Sequence, residues 1–231
     1  MTSKETFKAR TPWQVTRSVW YAMFMREAIS RTMSDRFAWF WMIVEPMLFI
    51  FMMVGVRQLI GRMKTIAGAD FIPWIIVGLM SFMLFRAIVT KSQGAINANK
   101  GLFAYRQVMP IDPVFIRIAI EGLLQSLIFL LFILVASLLE YDITPADPLT
   151  VIFIWFSIWL LGIGLALMAS VVTALIAETR ILVQVMMLPL MILSGVIMPI
   201  NFLPHDIQVY LLYNPVLHAV ELIRGTFFVQ Y

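Results

Sequence analysis

Asn97-Ala98-Asn99-Lys100-Gly101-Leu102-Phe103-Ala104-Tyr105-Arg106-Gln107-Val108-Met109-Pro110-Ile111-Asp112-Pro113 is the longest stretch beyond the N-terminus that does not read as apolar helix. Gly101 interrupts it, residues 102–109 have the length of two short helical turns, and Pro110 ends them. Leu102, Phe103 and Arg106 fall at helical spacing on one side. On either side lie long apolar runs. A short helix carrying aromatic rings and a positive charge between two membrane spans reads as a lever that something outside the membrane pushes.

Composition sets the frame. Apolar residues make up 61% of the 231 residues and charged ones 13%, and mean hydropathy is +0.91. Soluble domains carry roughly 45–50% apolar and about 25% charged residues, so the chain reads as an all-α integral membrane protein. Cysteine is absent, which removes disulfide and thiol chemistry. The net charge of +4 is unevenly spread. Lys4, Lys8, Arg10, Arg17, Arg26, Arg31 and Arg36 precede the first apolar run, against three acidic residues. That bias predicts a cytoplasmic N-terminus. It does not predict nucleic-acid binding, since no soluble fold remains to present the charge. A short apolar core with a cleavage site does not follow the basic start, so no signal peptide is expected.

The expected organisation is one transmembrane domain over residues 1–231, with a cytoplasmic tail and interface helix in 1–36. Residues 12–33 are amphipathic, with Trp13, Trp20 and Tyr21 suited to headgroup depth. Five spans follow within 37–200: residues 37–56, 71–89, 114–139, 149–177 and 181–199. Arg57, Arg62 and Lys64 then fall in an outer loop, against the positive-inside rule. Gly162 and Gly164 permit close helix approach, while Pro189 and Gly195 bend or break the fifth span. Residues 201–231 read as an outer re-entrant segment and the start of a last span.

Chemistry-bearing patterns are few. There is no phosphate loop, the two histidines His205 and His218 lack metal-ligand spacing, and no serine sits in a nucleophile elbow. Neither catalytic residues nor a metal site are expected. Ionisable groups at membrane depth face helices, water or a polar ligand. Glu45, beside Pro46, is the deepest and reads as either a conduit-lining group or a hydrogen-bonded structural carboxylate. Arg117 and Glu121 are four apart and read as a salt bridge on one helix face. Glu221 and Arg224 are three apart and suit a mutual pair. Trp39 and Trp41 suit either sugar stacking or an interfacial belt.

The order of parts resembles the membrane subunit of ABC-2-type exporters. Arg26-Glu27 on an amphipathic helix precedes a span containing Glu45-Pro46. A short coupling segment joins spans two and three. Tyr213-Asn214-Pro215-Val216-Leu217-His218-Ala219-Val220-Glu221-Leu222-Ile223-Arg224 stands near the end. Gly94 to Arg106 and Pro110-Ile111-Asp112 are similar to the capsular-polysaccharide branch, the KpsM type. The resemblance implies a six-span fold and a homodimer bound to two copies of a cytoplasmic ATPase. ATP and Mg would be held by that ATPase, and this chain would have no cofactor. The complex would export a lipid-linked anionic polysaccharide across a Gram-negative inner membrane. A periplasmic co-polymerase and an outer-membrane export protein would be further partners.

By the same resemblance, Lys100, Gly101, Leu102, Phe103, Tyr105 and Arg106 contact the ATPase, with Glu178 and Arg180 as a second contact. Trp39, Trp41, Glu45, Phe82, Arg86, Tyr213, His218, Glu221 and Arg224 are expected along the polysaccharide path. The resemblance also implies a further span after the Asn-Pro motif that returns the chain to the cytoplasm, and the sequence as far as Tyr231 does not supply it. Three other readings remain open: an O-antigen or teichoic-acid permease of the same class, a purely structural membrane scaffold, and an ATP-independent secondary transporter. The last usually shows paired repeats, and only residues 181–199 suggest a broken helix.

Overall fold

The computed structural model describes residues 11–34, 38–60, 65–66, 68–202 and 204–228. The basic tail, Arg36, and the loop cations Arg62 and Lys64 lie outside the described residues. The chain is almost wholly helical. Helix α1 (Pro12–Ser34) precedes α2 (Ala38–Ile60), and a two-residue ribbon of β1 (Thr65–Ile66) and β2 (Ala69–Asp70) turns the chain back. Then come α3 (Phe71–Ser92), the single turn α4 (Ala95–Ala98), a 3₁₀ turn (Lys100–Ala104) and α5 (Asp112–Leu138). Helices α6 (Pro148–Leu175), α7 (Thr179–Leu193), α8 (His205–Leu211) and α9 (Pro215–Phe227) complete it. Among the described residues, four helices are long and apolar enough to cross a membrane: residues 40–59, α3, α5 and α6.

The centre of the bundle is α3. It is apolar on every side, the pattern of a helix surrounded by other helices. Trp74, Val77, Leu79, Phe82, Leu84, Ile88 and Val89 are fully buried. The equally apolar span in α2 has only 6% of its length buried, against 89% for α3. Inside lipid, apolarity does not choose between these two fates; close packing and polar contacts do. Gly162 of α6 lets Ile88 approach, since an added Cβ would stand 3.1 Å from that side chain. Gly122 of α5 takes the ring of Trp159, which a Cβ would meet at 2.2 Å. Gly164, expected to serve the same purpose, faces open space.

Pairings give the directions. Glu45 meets Arg86 and Arg57 lies over the Phe71 ring, so α2 and α3 run antiparallel. Ser126 meets Trp155 and Gly122 meets Trp159, so α5 and α6 do too. The α1 end of the bundle therefore gathers the end of α3, the start of α5, the end of α6 and the start of α7. The opposite end holds the ribbon, the α5–α6 loop and the end of α9. In that loop Asp147 caps α6 by accepting from Thr150 N at 3.3 Å. The Thr150 side-chain bond, followed by its backbone bond, holds this carboxyl below its usual range.

Three expectations change. The segment 102–109 is not two α-turns. Its backbone bonds reach back three residues rather than four, Leu102 N to Asn99 O, Tyr105 N to Leu102 O and Val108 N to Tyr105 O. Tyr105 is extended, and Met109 precedes a proline that disfavours α geometry there. The third span starts at Asp112, whose carboxylate accepts from Met109 N at 2.7 Å, rather than at 114. The expected fifth span, 181–199, is the 15-residue α7. At 1.5 Å per residue it reaches about 22 Å, short of the roughly 30 Å hydrocarbon core. Ser194 ends it, and Gly195 follows with φ +70, a left-handed conformation that glycine adopts without strain.

Candidate functional site

At the α1 end, the segment between α4 and α5 is braced from behind. Met23 of α1 packs with Ile116 and Ile120 of α5, and Leu102 and Val108 close over that cluster. Polar ties surround it. Trp20 Nε1 donates to Asp112 Oδ1 at 2.8 Å, and Arg26 donates to the Asn99 side chain. Arg117 Nε donates to Glu27 Oε1 at 3.1 Å and Arg117 Nη1 to the Lys91 carbonyl at 3.4 Å. The pair expected within α5, Arg117 with Glu121, is thus replaced by one between α5 and α1. Glu121 itself is 1% exposed, turned into the bundle. Burying one carboxylate while its neighbour reaches another helix is a choice that spacing alone does not make.

This bracing leaves an outward face. Leu102 and Phe103 are half-buried, whereas Lys100, Gly101, Arg106 and Gln107 are exposed. Tyr105 is 66% exposed. The start of α7 presents Glu178 and Arg180, both exposed, at the same end. Asn97 Nδ2 donates to the Thr173 carbonyl at 3.4 Å, and the Thr173 and Thr179 hydroxyls are 3.2 Å apart. Both expected contact regions therefore belong to one end of one packed unit.

A second group lies on α2 and α3. Arg86 Nη1 donates to Glu45 Oε1 at 2.7 Å, with the two side chains 39% and 54% exposed. Glu45 is seven residues into α2 and Arg86 six residues before the end of α3, so the pair stands about 10 Å into the bundle. Trp41, Leu48 and Met52 continue the exposed α2 face at helical spacing. The side chain of Trp39 lies outside the described residues. Phe82, expected on the path, is fully buried in α3 beside Phe85.

The third group closes the chain break after α7. Arg224 is 0% exposed and so does not line a surface as expected. Its Nη1 donates to Gly195 O at 2.7 Å and its Nη2 to Val196 O at 2.9 Å. The expected partner Glu221 is 3.3 Å from Nη1, and the guanidinium lies 3.5 Å from the Trp74 ring centroid. Asn214 caps α9 by accepting from Val216 N at 3.0 Å, and it donates to Ser194 Oγ at 3.0 Å. Tyr213 is 84% exposed. His218 Nε2 lies 2.7 Å from the Leu212 carbonyl. Among the described residues, no His, Asp and Glu groups gather as a metal site.

An ABC-2 type transporter model matches residues 18–228. The chain belongs to the ABC-2 type transporter family. It is 30% identical over 216 residues to the polysialic acid transport protein KpsM of Escherichia coli, covering 94% of this chain and 83% of that one. It is 26% identical over 207 residues to the capsule polysaccharide export inner-membrane protein BexB of Haemophilus influenzae, covering 90% and 78%. The protein CtrC of Neisseria meningitidis serogroup A, named likewise, is 27% identical over 209 residues, covering 90% and 78%.

Within this ABC-2 chain, sequence reasoning gave no role to Asn99, Asp112, Trp74 and Gly78, each of which contacts a residue it had singled out. Asp112 had a visible signal, as an acidic residue beside Pro113 at a helix start. Trp74 and Gly78 had none, because their role depends on which helix lies against them.

Proposed function

We propose that this chain is the membrane-spanning permease subunit of an ATP-driven exporter that moves a lipid-linked capsular polysaccharide across the bacterial inner membrane. The observation that carries this is the braced coupling segment. A membrane helix bundle has no use for a buttressed, half-polar elbow with Tyr105 and Arg106 exposed unless something pushes on it. Family membership and the capsule-export names of the relatives support the same reading. Nucleotide and Mg belong to a separate cytoplasmic ATPase, present in two copies against two copies of this chain. The N-terminal basic bias supports a cytoplasmic α1 end.

The half-exposed Glu45–Arg86 pair supports a polar passage along α2. Charged groups facing hydrocarbon are costly, and a surface shared by two copies and lined with water and sugar removes that cost. Trp41 extends this wall, with Tyr213 and His218 toward its far end. ATP binding brings the ATPases together, the coupling segments move, and the α1-braced base transmits the motion to α3, α5 and α7. An anionic polymer, a periplasmic co-polymerase and an outer-membrane export protein complete the route. Replacing Tyr105 and Arg106 by alanine is expected to abolish co-purification of the ATPase and polymer export while membrane insertion is unchanged. Normal export from that double variant would sink the assignment.

A further inference from the structure

Burying an arginine wholly at membrane depth is costly unless every side of it is compensated. Arg224 is compensated by three separate parts of the chain. The face of its guanidinium rests on Trp74 of α3, a cation–π contact strengthened by exclusion of water. Its two terminal nitrogens take the carbonyls of Gly195 and Val196, and Glu221 supplies the counter-charge. The space for it is made by Gly78: a Cβ there would stand 1.9 Å from Nη2. Trp74 and Gly78 are three and seven residues into α3, so the socket sits about 5–10 Å below the far end of the bundle.

The two carbonyls explain why an arginine is needed. Non-helical backbone at membrane depth survives only when its polar groups are satisfied by protein or water. Helix α7 stops after 15 residues, and the chain then turns through Gly195 in the left-handed region. This leaves carbonyls that no helix continues. The guanidinium meets two of them at once with fixed fork geometry, which a lysine does not reproduce. From the break, α8 and α9 fill the depth that α7 does not span, and Ala146 N ties to Thr226 O at the far end.

We propose that Arg224, held by Trp74 and Gly78, is a positioning residue that fixes the break after α7 against α3, and so keeps the far end of the transport passage closed at rest. Loss of the clasp frees residues 194–199 and opens that end without nucleotide. This rests on the export reading for the existence of a passage, but its test needs neither polymer nor ATP. The full chain with its ATPase is reconstituted into vesicles loaded with carboxyfluorescein, comparing wild type with Gly78→Ala and Arg224→Lys. The chain has no cysteine, so Val196→Cys, at a fully buried position, reports release of the break to an impermeant maleimide.

Dye release without ATP is expected to rise about tenfold in both variants, the shift produced by losing one charge-assisted hydrogen bond from a two-state closure. Val196→Cys is expected to become reactive in the same backgrounds. Vesicles that stay as dye-tight as wild type, with the variants inserted at normal level, overturn the proposal whether or not the cysteine reacts. Failure of both variants to insert also overturns it, because Arg224 is then a folding determinant only. Wild-type vesicles that stay tight yet move no polymer when ATP is added would instead count against the export reading.

Discussion

At the α1 end, arginines reach from one helix to side chains of another at a surface that water touches. Arg117 and Glu27 are each 18% exposed, and Arg26 meets the Asn99 amide. At the far end, Arg224 is wholly enclosed, and most of its partners are backbone carbonyls and an aromatic ring. The first arrangement ties rigid elements together while leaving Tyr105 and Arg106 outside. The second repairs a break in the backbone. The carboxylates are similarly exposed, Glu27 at 18% and Glu221 at 22%, so the difference in strength lies with the guanidiniums, one at 18% and one at 0%. Partly exposed ion pairs contribute up to about 1 kcal/mol, whereas removing one member of a buried network costs about 3–5 kcal/mol.

That contrast is open to breaking. Arg224→Ala leaves Glu221 and two carbonyls without the guanidinium, and is expected to cost about 3–5 kcal/mol, read as thermal unfolding of the detergent-purified protein. A loss below that seen for Arg117→Ala would erase the distinction between the ends. Gly78→Ala keeps the arginine but crowds it, and overpacking of this kind costs about 1–3 kcal/mol. Asn214→Ala removes the α9 cap and the Ser194 bond, for about 1 kcal/mol. A double-mutant cycle on Glu27→Gln and Arg117→Gln is expected to give a coupling of up to about 1 kcal/mol, and a larger one would mean that the α1 brace is as stiff as the clasp.

The smallest effects lie where solvent is fullest. Tyr105→Ala with Arg106→Ala should move stability by no more than about 0.5 kcal/mol while removing ATPase binding. A large stability loss would make the segment structural instead. Asp147, with its carboxyl lowered by Thr150, contributes stability above its unfolded pKa. That contribution fades as pH falls through the lower folded value. An acid titration of wild type against Asp147→Asn is expected to converge at low pH.

Which parts of this were legible beforehand follows the same division. Apolar run length announced four of the five expected spans, and prolines with a glycine marked the segment between α4 and α5, because both are local properties of the chain. The Asn-Pro helix start before α9 was likewise written in adjacent residues, since Asn214 caps through Val216 two positions on. By contrast, Arg117 and Glu121 had ideal spacing for a pair, yet the carboxylate that Arg117 meets is Glu27, on another helix. Phe82 and Arg224 were expected along a passage, and both are buried.

The amino-acid sequence by itself determined that this is a multi-span membrane protein with an elbow between two helices and an interruption in the apolar run 181–199. Hydropathy and backbone stereochemistry act over neighbouring residues and need no partner. Only the tertiary structure decided that α3 is enclosed while α2 is left open, and that a glycine and a tryptophan on α3 receive an arginine from α9. Helices in an apolar solvent are sorted by shape and by rare polar contacts, and those are properties of pairs of surfaces that no single helix contains.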